Sequence, residues 1–378
     1  MQPHLAGMQR EHAQLHQLSR CWIQTRQIEQ TKIRPILIMT ADALVVIDQV
    51  PTPVQDQLSA VDLDGARMVR GMPMHHVDAA VEQAMRELLY VPPGRKPATG
   101  AIGLLVPELT NPIFPALAQA MEARATEAGL ATILCNTTSA AFREVDYVHM
   151  LLDRRVDGMI FISCEMTNLG GDHDHYGKLV DEGARLVFVN GALDGLEVAG
   201  VSVDERYAGY LATQHLISLG HRRIGFVAGP AMYLPTREKA AGRAEALRNA
   251  GLSDGLVSHG DFSFEGGLRA LRTLLADPDP PTGVICSSDV IAIGVVQAAR
   301  AAGLRVPEDL SVVGFDGIDA SYWVDPPLTT VEQPIEAIAS TAVELLQSVV
   351  SQPGTFRPRV LLQPKLRVGR STAPPRTA

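Results

Sequence analysis

From about residue 100 onward the chain alternates two hydrophobic patterns. Short continuous apolar runs rich in β-branched residues occupy 101–106, 131–135, 158–162, 185–189, 224–228, 283–286 and 310–315. Between them, apolar residues recur at three- and four-residue spacing, as in the stripe Ile335, Ile338, Ala339, Ala342, Leu345, Leu346 and Val349, which predicts amphipathic helices. A run with no polar face must be covered on both sides, the condition of a parallel sheet with helices above and below it. The repeated order predicts an α/β fold of mainly parallel, doubly wound sheets. There are too many strands for one comfortable sheet, so two lobes with a cleft between them are expected. Ligands of such folds sit beyond the carboxyl ends of the strands, which makes the residue after each apolar run a candidate.

Punctuation agrees with the periodicity. Asn111-Pro112 places a cap and a first-turn proline before Phe114, Leu117, Ala118, Met121 and Ala125, and Gly129 closes that helix. Residues 1–98 break the rhythm. Gln and His are frequent up to Gln30, 36–50 is apolar without clear periodicity, and Pro51, Pro53 and Pro73 follow. A patterned helix returns at 76–89, and the Pro- and Gly-rich stretch 90–99 then reads as a linker. The expected domains are an atypical N-terminal region (1–75), a helix and linker (76–98) and a core (99–372).

Composition narrows the function. With 46% hydrophobic and 20% charged residues, the chain is of ordinary globular type. A net charge of -9 means that any surface for nucleic acid would have to be local. Cys21, Cys135, Cys164 and Cys286 lie far apart without a CxxC spacing, which suits reduced thiols. No secretory leader and no membrane-length apolar run is visible, so a cytoplasmic location is expected. No GxSxG, P-loop, HExxH or strand-linked GxGxxG occurs, so neither a catalytic residue nor a cofactor is expected. The loop 170–176 (GGDHDHY) and the pair His75-His76 are expected to be solvated rather than metal-binding.

Several segments together resemble the LacI/GalR family of transcription regulators, and they occur in that family's order. They are 102–114 (IGLLVPELTNPIF), 155–162 (RVDGMIFI), 219–230 (LGHRRIGFVAGP), 286–289 (CSSD), 303–316 (GLRVPEDLSVVGFD), 327–334 (PLTTVEQP) and 366–375 (LRVGRSTAPP). The resemblance covers about the last three quarters of the chain. It implies a two-lobed core related to periplasmic sugar-binding proteins, crossed three times by the chain. By that analogy the first lobe holds 99–190 and 308–333, and the second 191–307 and 334–372. It also implies a homodimer, a small-molecule effector such as a sugar, and operator DNA as a partner if a working headpiece exists. The front departs from the pattern. The family's Ala-Gly-Val-Ser turn and Thr-Val-Ser-Arg recognition helix are absent from 1–75, and only 81–92 (VEQAMRELLYVP) resembles a headpiece segment. Either the start or reading frame upstream of about residue 76 is altered, or the headpiece has decayed.

Seven residues are candidates for effector contact. Asp289 follows an apolar run and opens a helix, where it can cap the helix or accept hydrogen bonds from sugar hydroxyls. Lys239 falls where the resemblance implies an effector-contacting arginine; it is a point charge rather than a planar fork, and Arg237 is placed to compensate. Phe114 and Phe262 offer rings to the apolar face of a sugar, or simply pack in the core. Asn111 reads first as a cap, and Asn190 as a hydroxyl partner. The leading function is an effector-responsive repressor. The alternative is a stand-alone small-molecule sensor that has lost DNA binding.

Overall fold

The computed structural model describes residues 36–39, 44–48, 99–137, 143–352 and 357–376. The helix expected at 76–89, the linker after it and most of the atypical N-terminal region lie outside the described residues. The exceptions are two strands within the irregular apolar stretch, β1 (Ile36–Met39) and β2 (Leu44–Asp48), which pair antiparallel.

The core follows in the expected alternation: β3 (Ala101–Val106), α1 (Ile113–Glu127), β4 (Ala131–Asn136), α2 (Glu144–Asp153), β5 (Gly158–Ile162), α3 (Asp174–Asp181), β6 (Leu186–Val189) and β7 (Ala199–Val203). Next come α4 (Glu205–Ser218), β8 (Ile224–Ala228), α5 (Leu234–Asn249), β9 (Val257–His259), α6 (Phe264–Leu275), β10 (Gly283–Cys286), α7 (Asp289–Ala301) and β11 (Ser311–Asp316). The chain closes with α8 (Ala320–Trp323), β12 (Thr329–Glu332), α9 (Ile335–Ser351), β13 (Arg359–Leu362) and β14 (Lys365–Arg367).

These strands form two sheets. The first has the order β1-β2-β13-β7-β6-β5-β3-β4 and is parallel from β13 to β4, with the β1–β2 hairpin added antiparallel to β13. The second has the order β14-β12-β11-β10-β8-β9 and is parallel except at β14. Alternation along each strand sends successive side chains to opposite faces. Leu104 and Ile160 pack with Leu117, Met121 and Leu345 of α1 and α9, while Leu105 and Phe161 pack with Leu151 and Tyr176 of α2 and α3. In the second sheet Phe226 and Val313 meet α4 and α5, while Val227 and Val312 meet α6 and α7.

The lobes differ from the expected partition. Residues 311–316 and 329–332 belong to the second sheet, and α9 packs on the first. The chain therefore crosses near 204, 333 and 363 instead of near 190, 307 and 333. The physical reason is that β11 and β12 continue the parallel register of β10, with Gly283 opposite Ser311 and Val313 opposite Thr329. An apolar run buried on both faces looks the same whichever sheet it joins.

Candidate functional site

The carboxyl ends of both sheets face a cleft of about 530 Å³ between the lobes, a volume within the usual range for a small-molecule site. Three residues that end strands or directly follow them hold positive φ there: Ser163 (50°), Asn190 (56°) and Asp316 (113°). Such backbone is costly for residues other than glycine and persists only where surrounding structure fixes it.

From the first lobe, Asn111 and Phe114 line the cleft at the start of α1, followed by Ser163, Cys164 and Glu165 after β5 and by Asn190 after β6. Asn111 is buried, and its side-chain oxygen accepts the Ile113 N–H at 3.4 Å. Pro112 occupies the helix cap itself, one position later than expected. The Glu165 turn is braced from behind. The buried Glu144 carboxylate accepts its N–H at 3.0 Å and also bonds the hydroxyl of Tyr176, while His175 lies 3.2 Å from Glu144. His173 reaches the Glu165 carbonyl at 2.9 Å. The 170–176 segment was expected to be a solvated loop; its two histidines instead support the cleft wall. Among the described residues no cluster of three or more His, Cys, Asp or Glu has metal-binding geometry.

From the second lobe come Glu205, Tyr233, Lys239, Phe262, Ser287, Ser288 and Asp316, with Gln333 at a crossing. The Phe262 ring lies 6.3 Å from that of Tyr233. It can do so because residue 229 is glycine: a Cβ there would stand 2.2 Å from the ring. A hydrogen-bonded relay links the lobes. Asn190 accepts the Val203 N–H at 3.0 Å and donates to Gln333 at 3.1 Å, and Gln333 donates to Asp316 Oδ1 at 2.8 Å. Among the described residues the other Asp316 oxygen is buried without a partner, as is the Ser287 hydroxyl. Burial, reinforced by the nearby Asp289 charge, pushes the Asp316 carboxyl well above the usual carboxylate range. Both groups are thus desolvated at the edge of the cleft, an arrangement that a buried polar atom rarely shows without a role.

Five of the seven sequence candidates line the cleft: Asn111, Phe114, Asn190, Lys239 and Phe262. Arg237 is exposed and is not among the lining residues. Asp289 is fully buried behind the wall, where its carboxylate accepts the N–H groups of Gly317 (2.8 Å) and Ile318 (3.0 Å) and the Thr330 hydroxyl (2.6 Å). The helix cap beside it is Ser288, whose hydroxyl accepts the Ile291 N–H. Sequence reasoning missed Glu205, Ser287, Asp316 and Gln333. Ser287 and Asp316 come directly after the apolar runs 283–286 and 310–315, so the strand-end rule applied strictly would have reached both.

Comparison with known proteins follows the same outline. The profile of a family described as periplasmic binding protein-like domain matches residues 213–372. An uncharacterized HTH-type transcriptional regulator from the aml 5' region of Streptomyces limosus is 41% identical over 74% of this chain and 80% of its own length. The ribose operon repressor of Escherichia coli is 33% identical over 77% of this chain and 89% of its own. A crystal structure of a LacI family transcriptional regulator from Enterococcus faecium with bound ribose superposes with a TM-score of 0.65 at 30% identity, covering 72% of this chain and 99% of that one.

Proposed function

Because the chain belongs to the LacI family of transcriptional regulators, we propose that it is a cytoplasmic, homodimeric repressor released from or recruited to operator DNA by a sugar in this cleft. The observation that carries the reading is the desolvated, unpartnered pair of Asp316 Oδ2 and Ser287 Oγ at the strand ends. Hydroxyl groups satisfy such atoms without bringing a net charge into a buried site. Phe114 and Phe262 supply rings for the apolar faces of a sugar. Asn111, Asn190 and Gln333 supply further polar contacts, and Asp289 acts by holding the loop after β11 in place. Regulator relatives support a binding role. No helix among the described residues is long and apolar enough to cross a membrane.

The test is calorimetric binding of a panel of neutral mono- and disaccharides to the full chain, followed by anisotropy titration of promoter fragments with and without the best binder. Asp316→Ala should weaken that saccharide roughly five- to a hundredfold, as expected for about 1–3 kcal/mol when a buried hydroxyl loses its hydrogen-bond partner. No saccharide binding, or binding indifferent to Asp316→Ala, would refute the assignment.

A further inference from the structure

The charge of the cleft adds a property that the proposed function does not contain, although it rests on that reading for the location of the effector. Five acidic side chains line it, on Glu108, Glu165, Glu205, Asp261 and Asp316, although burial favours the neutral form of Asp316. Lys239 is the single cation among the described lining residues, and it is already engaged. Its ammonium lies 2.6 Å from Glu205 Oε2 and 3.7 Å above the centroid of the Phe315 ring. Both side chains of the pair are nearly buried.

The pair is built by the fold. Glu205 opens α4 and Lys239 lies in α5, and the two helices touch backbone to backbone through glycines. A Cβ on Gly209 would stand 2.1 Å from the Lys239 carbonyl, and one on Gly242 would stand 1.8 Å from the Arg206 carbonyl. That approach fixes the Lys239 backbone beside the start of α4, and its nearly buried side chain has little room to turn elsewhere. A buried ion pair has already lost its hydration, and separating it would strand both charges.

We infer that Glu205 is a specificity-determining residue that neutralises Lys239, so that the cleft accepts neutral saccharides and refuses phosphorylated or otherwise anionic ones. A phosphate needs cationic or N–H donors that are not already committed. Here it would meet the carboxylates first and would have to compete with Glu205 for the lysine. Removal of the Glu205 charge frees a desolvated ammonium on the cleft wall and should create an anion site.

The experiment measures binding of D-ribose, ribose 5-phosphate, D-glucose, glucose 6-phosphate and inorganic phosphate to the full chain by calorimetry. Three proteins are compared: wild type, Glu205→Gln, and the double variant Glu205→Gln/Lys239→Met. In wild type each ester should bind at least tenfold more weakly than its parent sugar. Glu205→Gln should gain at least tenfold in affinity for inorganic phosphate and for the esters, and the double variant should lose that gain. Glu205→Ala is the substitute if Glu205→Gln does not fold. Wild-type binding of either ester as tightly as its parent sugar would overturn the inference, as would a folded Glu205 variant with no gain for phosphate. Failure of every neutral saccharide counts against the sugar reading alone, because inorganic phosphate scores the role of Glu205 independently.

Discussion

A carboxylate removed from water needs donors, and Asp289 and Asp316 meet that need differently. Asp289 has three, from Gly317, Ile318 and Thr330, and Asp316 has one oxygen with none among the described residues. Sequence reasoning could see that both follow or end apolar strands, but not where their partners stand, because those partners come from another strand and from a loop. Burial still raises the Asp289 carboxyl to about 7, against an ordinary value of about 3.9 in an unfolded chain. The folded state therefore binds more protons than the unfolded state between those two values. Stability contributed by the neutral form is fully present below about pH 4 and is lost as pH rises through about 7. Asp289→Asn can keep the bonds, with its oxygen accepting the two N–H groups and its amide donating to Thr330. The variant should lose this residue's share of the pH slope. Urea denaturation of both proteins at pH 5 and pH 8 reads it: the stability drop on going to pH 8 should be smaller in Asp289→Asn. An equal drop would show that other buried acids carry the slope.

At the scale of elements, most helices and strands could be read from periodicity because hydrophobic spacing reports which face is buried. What spacing does not report is how closely two helices approach. Gly242 in α5 and Gly177 in α3 look equivalent in sequence, each being a glycine inside a helix. Yet a Cβ at 242 meets the Arg206 carbonyl at 1.8 Å, whereas one at 177 meets nothing within 4 Å. Gly177→Ala should stabilise the fold by about 0.5–1 kcal/mol through helix propensity and reduced unfolded-state entropy. Gly242→Ala should destabilise it by about 1–3 kcal/mol, because the backbones of α4 and α5 must part. Thermal unfolding of the two variants should therefore shift in opposite directions. If Gly242→Ala were neutral, the α4–α5 contact that seats Glu205 against Lys239 would be looser than described.

For the whole molecule, the strand pattern pointed to two lobes, while the three crossings and the placement of 308–333 in the first lobe came from the family analogy; local pattern could not correct that placement, since pairing partners distant along the chain leave no mark on it. The observed crossings bear on how the cleft opens. Gln363 donates to Asp204 at 3.3 Å and Asn190 to Gln333 at 3.1 Å, so the crossings near 204, 333 and 363 are bonded to one another or to the first lobe. Elsewhere on the cleft the lobes meet without a covalent link: Leu169 N–H donates to the Met232 carbonyl at 2.9 Å, and Asn168 pairs antiparallel with Tyr233. An effector entering the cleft should break this bridge rather than the crossings, which the chain itself holds together. Antiparallel partners stand about 4.5–5.5 Å apart at Cα, within the roughly 4.4–6.8 Å that a disulfide spans. An Asn168→Cys/Tyr233→Cys protein, with Cys21→Ser to remove a competing thiol, can therefore lock it. Cys135, Cys164 and Cys286 are buried as free thiols, and burial raises the Cys135 thiol to about 11, which keeps it poorly reactive. Oxidation should slow saccharide association and dissociation at least tenfold in stopped-flow measurements, and reduction should restore both rates. The single Tyr233→Cys variant corrects for loss of the ring, because Tyr233 itself lines the cleft. Equal exchange rates in the oxidised and reduced proteins would mean that the effector enters by parting the crossings or past an edge of the cleft, and that the bridge is not its gate.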